Sequence, residues 1–393
     1  MRPESPTPAI PPTPSPTPTA ESPSRSAPRV DDDLDEATTD RRRPSPFDPF
    51  KQARSSGKAR DRHRSRAYRT TWFKHAAVYG FYWSSRWVPR PVVRGTLLGL
   101  STLGRGAGHL PFNAIRRACD DLAVICRHRG HPTDGAQIYR GIIDEVQFTG
   151  NVVHEAYLGR SSSPTDAIHL RADAIENIEA ALARHGGLML AAPHNFTGSI
   201  GSVAFARRFP MLLIGKNGES DWRREISEEV FERLGLRPVF VRGQSPFAVS
   251  RRMIEAMRNS QVVITVLDNI YRKPNRIEAE IFGGRLGFSP WAPRLAIAAG
   301  VPLMPAYAHH TEGRLEHDFG EPLLSTDLQE LTQHYVSFFE DQILRHPSSW
   351  AFVAHKRWRM VLAQARRRLE EGATAVEPFE VKSRDLRRRE APE

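Results

Sequence analysis

Two titratable residues stand where short apolar runs end. His194 follows Leu188–Ala192 across a single proline, and Asp268 closes the run Val262–Leu267. Each run is too short for a helix, and the first lies between Gly187 and Pro193, which predicts buried strands. In open α/β sheets, ligands gather beyond the carboxyl ends of the strands. An imidazole held there, titrating near neutrality, can take the proton of an attacking hydroxyl. A lone histidine after a strand is more often a structural side chain, so the surrounding elements must decide.

Those elements read as strands alternating with helices. Asp173 to Arg184 is a helix with Ile175, Ile178 and Leu182 on one face, and Gly186-Gly187 supplies its stop. Met211–Ile214 and Val239–Val241 repeat the pattern of a short buried strand. Pro246–Arg258 is an amphipathic helix that should turn Phe247, Met253, Ile254 and Met257 toward the core. Thr326–Leu344 is a further helix, with Thr326 and Gln329 as its capping box and Leu328, Leu331, Tyr335, Phe338 and Phe339 as its packing face. The alternation predicts an α/β fold with a mainly parallel sheet flanked by helices on both faces.

The rest of the chain is strongly basic, with 56 Lys+Arg against 45 Asp+Glu, a net charge of +11 and a pI near 10.0. Such a balance favours an anionic partner: lipid headgroups, nucleic acid or a phosphorylated substrate. Residues 1–70 form an arm of their own. Its Pro/Ser/Thr-rich start cannot bury enough apolar surface to offset chain entropy, so disorder is expected. An acidic patch at Asp31–Glu36 precedes a basic stretch that runs from Arg41 to Arg69. Residues 71–135 read as a helical segment in which Trp72, Phe73, Tyr79, Tyr82, Trp83 and Trp87 mix with Lys74, Arg86, Arg90 and Arg94. Its apolar runs fall short of the ~20 residues a membrane span needs. The mixture suits the headgroup boundary, so the segment is expected to be membrane-interfacial, with a pair of core-packing helices as the alternative. Residues 136–365 carry the α/β domain and 366–393 a charged tail. Cys119 and Cys126, seven apart, read as buried thiols of one helix and exclude a disulfide framework. No secretory signal is read at the N-terminus.

From about Trp72 to Ala363 the chain resembles the lauroyl/myristoyl-type bacterial lipid A biosynthesis acyltransferases, within the wider lysophospholipid/glycerolipid acyltransferase group. The resemblance rests on blocks in order. The helix Ala172–Arg184 leads through Gly186-Gly187-Leu188-Met189-Leu190-Ala191-Ala192-Pro193 to His194. Val262–Asp268 is similar to the family's strand ending in Pro-Asp, with Leu267 in place of the proline. Phe282-Gly283-Gly284-Arg285, Phe288-Ser289-Pro290, Pro293-Arg294-Leu295-Ala296 and Gly300-Val301-Pro302 resemble its acceptor-side block, and Pro347, Trp350, His355, Arg357 and Trp358 its C-terminal pattern. The resemblance implies transfer of a fatty acyl chain from an acyl carrier protein or coenzyme A thioester to a hydroxyl, or an amine, of a membrane lipid or glycolipid. It implies His194 as general base, and a site on the cytoplasmic face of the bacterial inner membrane, peripheral or monotopic. Asn195, Phe282, Gly283 and Ser289 become substrate-binding candidates, with Arg242 and Arg285 as phosphate receivers. No cofactor and no metal are implied.

One departure bears directly on the chemistry. The family places a carboxylate five positions beyond its histidine, whereas this chain has Ser199. Serine can accept a hydrogen bond but cannot balance an imidazolium, and neutralising the orienting acid of a catalytic histidine costs roughly 10⁴ in rate. Asp268, Glu219 and Asp221 are the candidate replacements, with Asp268 first because the family block also holds an aspartate there. The alternatives are a degenerate homologue that binds lipid without turnover, and a basic nucleic-acid binder. Against the latter, the basic residues lie in an arm with no groove-reading motif, and no phosphate loop is present. His309-His310 resembles a metal pair, but adjacent strand residues face opposite ways and no ligand lies at metal-site spacing nearby in sequence. His355, Arg357 and Trp358 are expected to lock the last helix onto the domain.

Overall fold

The computed structural model describes residues 87–381, apart from 111, 158–167, 171, 216–227, 230, 233, 237, 242–243, 312–313 and 374. The arm at 1–70, the aromatic cluster before Trp87, and the candidates Glu219, Asp221 and Arg242 therefore lie outside the described residues. Nine helices and nine strands are used below. They are α1 (Arg90–Ala107), α2 (Ala114–His128), α3 (Gly135–Tyr157), β1 (Ile168–Leu170), α4 (Ala172–His185), β2 (Leu188–Ala192), α5 (Gly198–Arg208), β3 (Met211–Gly215) and β4 (Val239–Phe240). There follow α6 (Pro246–Arg258), β5 (Val262–Val266), β6 (Ile277–Ile281), β7 (Gly284–Phe288), α7 (Trp291–Ala299), β8 (Leu303–Thr311), β9 (Arg314–Phe319), α8 (Leu328–Arg345) and α9 (Lys356–Glu370).

Seven strands form one sheet in the order β1-β9-β8-β2-β5-β3-β4, and β6-β7 make a separate antiparallel hairpin. The pairings from β8 through β2, β5 and β3 to β4 are all parallel, whereas β8 and β9 run antiparallel. The sheet is thus mostly parallel, with an antiparallel turn-back at one side. Its central strands β2 and β5 are buried on both faces, as parallel strands must be. Along β2, Met189 and Ala191 enter one core with Val263 and Leu303, while Leu188 and Leu190 enter a second with Val262, Ile264 and Met304. Helices α2, α6, α7, α8 and α9 cover the first core, and α4 and α5 the second. The alternation follows from the period of two along a strand.

Local chemistry sets the boundaries. Gly186, at φ +69, ends α4 in the left-handed conformation that glycine adopts without a Cβ penalty. Gly187 begins β2 against the main chain of α6: a Cβ there would stand 2.0 Å from the carbonyl oxygen of Met257. That approach seats α6 on the sheet directly beneath the site strand.

Several expectations are corrected. Phe247 lies on the solvent side of α6, 77% exposed, because the buried stripe runs Val249, Met253, Ala256 and Met257 instead. The N-cap of α8 is Asp327, whose Oδ1 accepts from the Gln329 N–H at 2.8 Å. A carboxylate one residue later outcompetes Thr326 for that role. Helix α2 packs into the main core through Cys119, Leu122, Ile125 and Cys126, so the core crosses the division drawn at 135. Burial pushes both thiols up to about 12. The charged tail drawn from 366 also carries structure: α9 continues to Glu370, and Phe379 is buried against Gly284. Among the described residues no helix is long and apolar enough to cross a membrane. Helix α1 does leave Val92, Leu98, Leu100 and Leu103 exposed, flanked by exposed Trp87 and Phe112.

Inside the second layer, His317 of β9 is buried edge-on to Phe205, over Gly201. Burial, assisted by nearby His309, pushes its pKa down from 6.5 to about 4. A histidine that binds protons more weakly when folded favours the unfolded state as it protonates. Its contribution is complete above about pH 6.5 and is lost as pH falls toward about 4. The thermal midpoint should therefore drop across that window, and drop less in His317→Phe. Parallel pH profiles for the two proteins would remove His317 from this account.

Candidate active site

Strands β2 and β5 pair in parallel with Leu188 opposite Val262 and Ala192 opposite Val266. That register carries forward two residues past each strand end, where Leu267 N–H still donates to the Ala192 carbonyl at 2.9 Å. His194 and Asp268 fall at the same offset and meet. The His194 ring Nδ1 lies 2.5 Å from Asp268 Oδ1, and the His194 main-chain N–H donates to Asp268 Oδ2 at 2.9 Å. The carboxylate grips both the ring and the backbone of one residue.

Asp268 itself is 3% exposed at its side chain, so it must be held by donors. Trp350 supplies its indole N–H to Oδ2 at 3.0 Å, and Trp358 donates to the Asp268 main-chain carbonyl at 2.9 Å. The two indoles meet edge-on at 4.9 Å, and Phe282 packs against both. Phe282 takes φ +53 and Gly283 φ +74 in the turn that joins β6 to β7, which drives the phenyl ring inward. The aromatic cage isolates the carboxylate from water and leaves its remaining reach to His194.

The histidine is placed differently. Its side chain is 33% exposed, and Phe352 stacks on one face at 3.9 Å between centroids. With Nδ1–H donating to Asp268, Nε2 carries the free lone pair. The following turn is fastened to the segment before α9. The Ala351 N–H donates to the His194 carbonyl at 2.7 Å, and the Phe196 N–H to the Ser349 carbonyl at 3.1 Å. Ser349 in turn donates its hydroxyl to Glu145 Oε1 at 2.5 Å, a carboxyl whose pKa burial raises. His355 lies beyond Phe352, with its pKa lowered by burial and by Arg357.

The structure therefore joins His194 to Asp268 and brings Phe282 into the cage around them. Asn195 adjoins them and donates to the Ser349 carbonyl at 3.4 Å. Ser199 sits in the first turn of α5, five positions past His194. Gly283 is exposed at the hairpin turn. Arg285 is exposed on β7, its main chain paired with Glu377 and Phe379, beside a 140 Å³ cavity that also includes Arg272 and Arg276. Ser289 accepts the Trp291 N–H at 3.4 Å at the start of α7. Phe282 and Ser289 thus have structural work to do. Sequence reasoning assigned Trp358 to helix locking and named Trp350 only as part of the family's C-terminal pattern; their N–H groups also hold Asp268. The signal was a pair of tryptophans eight apart, whose shared target lies at Asp268 and is invisible to spacing.

In wild-type protein, ¹⁵N spectra of the His194 ring should show the tautomer protonated at Nδ1. Asp268→Asn should disturb that preference. Trp350→Phe should keep it while costing about 1–3 kcal/mol of stability through the lost donor. A ring equally protonated at both nitrogens in wild type would contradict the pair.

A model of the family described as bacterial lipid A biosynthesis acyltransferase matches residues 64–360. No curated protein matches the chain at a significant level.

Proposed function

The chain belongs to the bacterial lipid A biosynthesis acyltransferase family, and from that premise we propose that it moves a fatty acyl chain from a thioester donor to a hydroxyl or amine of a membrane lipid or glycolipid, with His194 as general base. The observation that carries this reading is the 2.5 Å contact between His194 Nδ1 and the caged Asp268. In the proposed step the acceptor oxygen attacks the thioester carbonyl carbon while its proton passes to His194 Nε2. The C–S bond then breaks, and the departing thiolate takes that proton from the imidazolium. Asp268 keeps the ring oriented and balances its transient charge. The donor is an acyl carrier protein or coenzyme A thioester. Asp268 supplies the carboxylate that Ser199 lacks, which favours turnover over a degenerate lipid-binding homologue.

The membrane side of the proposal rests on α1 and the basic arm. Leu98, Leu100 and Leu103 are exposed on a helix that also carries Arg94 and Arg105, paired with Glu155 and Asp144. Apolar side chains beside cations suit peripheral docking on an anionic leaflet, where each basic residue contributes about 1 kcal/mol near the surface. The cytoplasmic face of the inner membrane is the proposed location, and nucleic acid is not the proposed partner.

Incubation of the full chain with an acyl thioester and bacterial lipid extract, read by lipid mass spectrometry, tests the reading. His194→Ala should abolish the acylated product, and Asp268→Asn should lower its rate by roughly 10⁴. Ser199→Ala should change it little. Turnover that survives His194→Ala would sink the mechanism, and lipid binding without any product would favour the degenerate homologue. Leu98→Asp combined with Leu103→Asp should reduce flotation with anionic vesicles. Tight DNA binding at moderate salt, with none to vesicles, would count against the membrane reading.

A further inference from the structure

A second cluster of titratable side chains lies outside the His194 site. His309 of β8, Asp318 of β9 and His346, which caps the C-terminus of α8, each offer one ligand atom, all within 4.8 Å of one another. His309 Nε2 lies 3.1 Å from Asp318 Oδ2, and His346 Nε2 lies 3.8 Å from the same oxygen. From these residues we propose a binding site for a divalent transition-metal ion of the zinc type, held by two imidazoles and one carboxylate.

The distances fit the chemistry. Ligand atoms at about 2.0–2.2 Å around a tetrahedral ion stand roughly 3.3 Å apart, between the two separations observed. Two histidines and a carboxylate are a recurring zinc donor set that leaves a fourth position for water. His346 also borders an open cavity of 330 Å³ lined by His131, Thr133, Gln137 and Arg345, so the cluster is approached by solvent from the His346 side. The outer hydrogen bond such sites need is present. His309 Nδ1 lies 3.1 Å from the Thr311 hydroxyl, which fixes the ring with Nε2 toward Asp318.

One adjustment is required. The two rings stack at 3.7 Å and 8° from parallel, whereas rings that share an ion must splay. His346 is the one free to move, since its side chain is 32% exposed and His309 is buried. The ion would tie the β8–β9 pair to the start of segment 346–350. That segment carries Ser349, which bonds Glu145 and the turn after His194, and Trp350, which bonds Asp268. The site is thus a clamp on the segment behind the His194 turn, and it does not depend on the acyl-transfer reading.

Cobalt(II) titration of the metal-stripped full chain, followed by visible absorption and competition with zinc(II), tests the clamp. One equivalent should bind, zinc should displace it, and zinc alone should raise the thermal midpoint by mass action. His346→Gln and Asp318→Asn should each weaken binding more than tenfold and abolish the thermal shift. Thr311→Val should weaken binding about tenfold through the lost outer hydrogen bond. Circular dichroism confirms that each variant is folded, and half-exposed His346→Gln carries the test if Asp318→Asn is not. No cobalt or zinc uptake at micromolar concentration would overturn the proposal, as would uptake unchanged in folded His346→Gln.

Discussion

The parallel register between β2 and β5 is the constraint on which the site depends. Because Leu188 pairs with Val262 and every later residue keeps that offset, the two chains leave the sheet side by side, and an imidazole and a carboxylate emerge in contact. A one-residue slip would turn each side chain to the opposite face and separate them. The register is protected by burial on both sides: Met189 and Ala191 fill one core, Leu188 and Leu190 the other, so no shifted pairing buries the same surface. Positioning of the pair is thereby a property of the whole sheet.

Burying Asp268 has its own energetic requirement. A carboxylate withdrawn from water costs several kcal/mol unless charge-assisted hydrogen bonds replace its hydration. Here the replacement comes from three directions: the His194 backbone, the His194 ring and the Trp350 indole. Two of these belong to His194, so the acid is fully solvated by protein only when the histidine is in place. The third brings in a segment more than 80 residues further along the chain. Tryptophan suits this position because it is large enough to exclude water and still has one N–H to donate.

Much of this was legible in the sequence, and the rest was hidden for identifiable reasons. Short apolar runs gave away β2 and β5, since fully buried parallel strands lack polar alternation. His194 and Asp268 were visible because each directly follows such a run. Phe247 misled because a helix stripe is defined by its tightest-packed members, and Val249 with Met253 shifted the buried face away from it. The Asp318–His346 proximity could not be read at all. His309 and His310 read together as a tandem metal pair without further ligands, whereas the partners of His309 are Asp318 on β9 and His346 at the end of α8, brought in by tertiary packing with no periodic signature.

The position of the acid has a further physical consequence. A carboxylate five residues past the histidine would ride on the same turn, so any local motion would move both groups together. A carboxylate on a neighbouring strand is fixed independently, and the turn that follows His194 need only hold the backbone. That turn is held from outside, by the Ser349 carbonyl and the Ala351 N–H. Ser199 belongs to the first turn of α5, and the carboxylate that meets the His194 ring comes from Asp268 instead. Two carboxylates near one imidazole would repel each other and compete for its Nδ1–H.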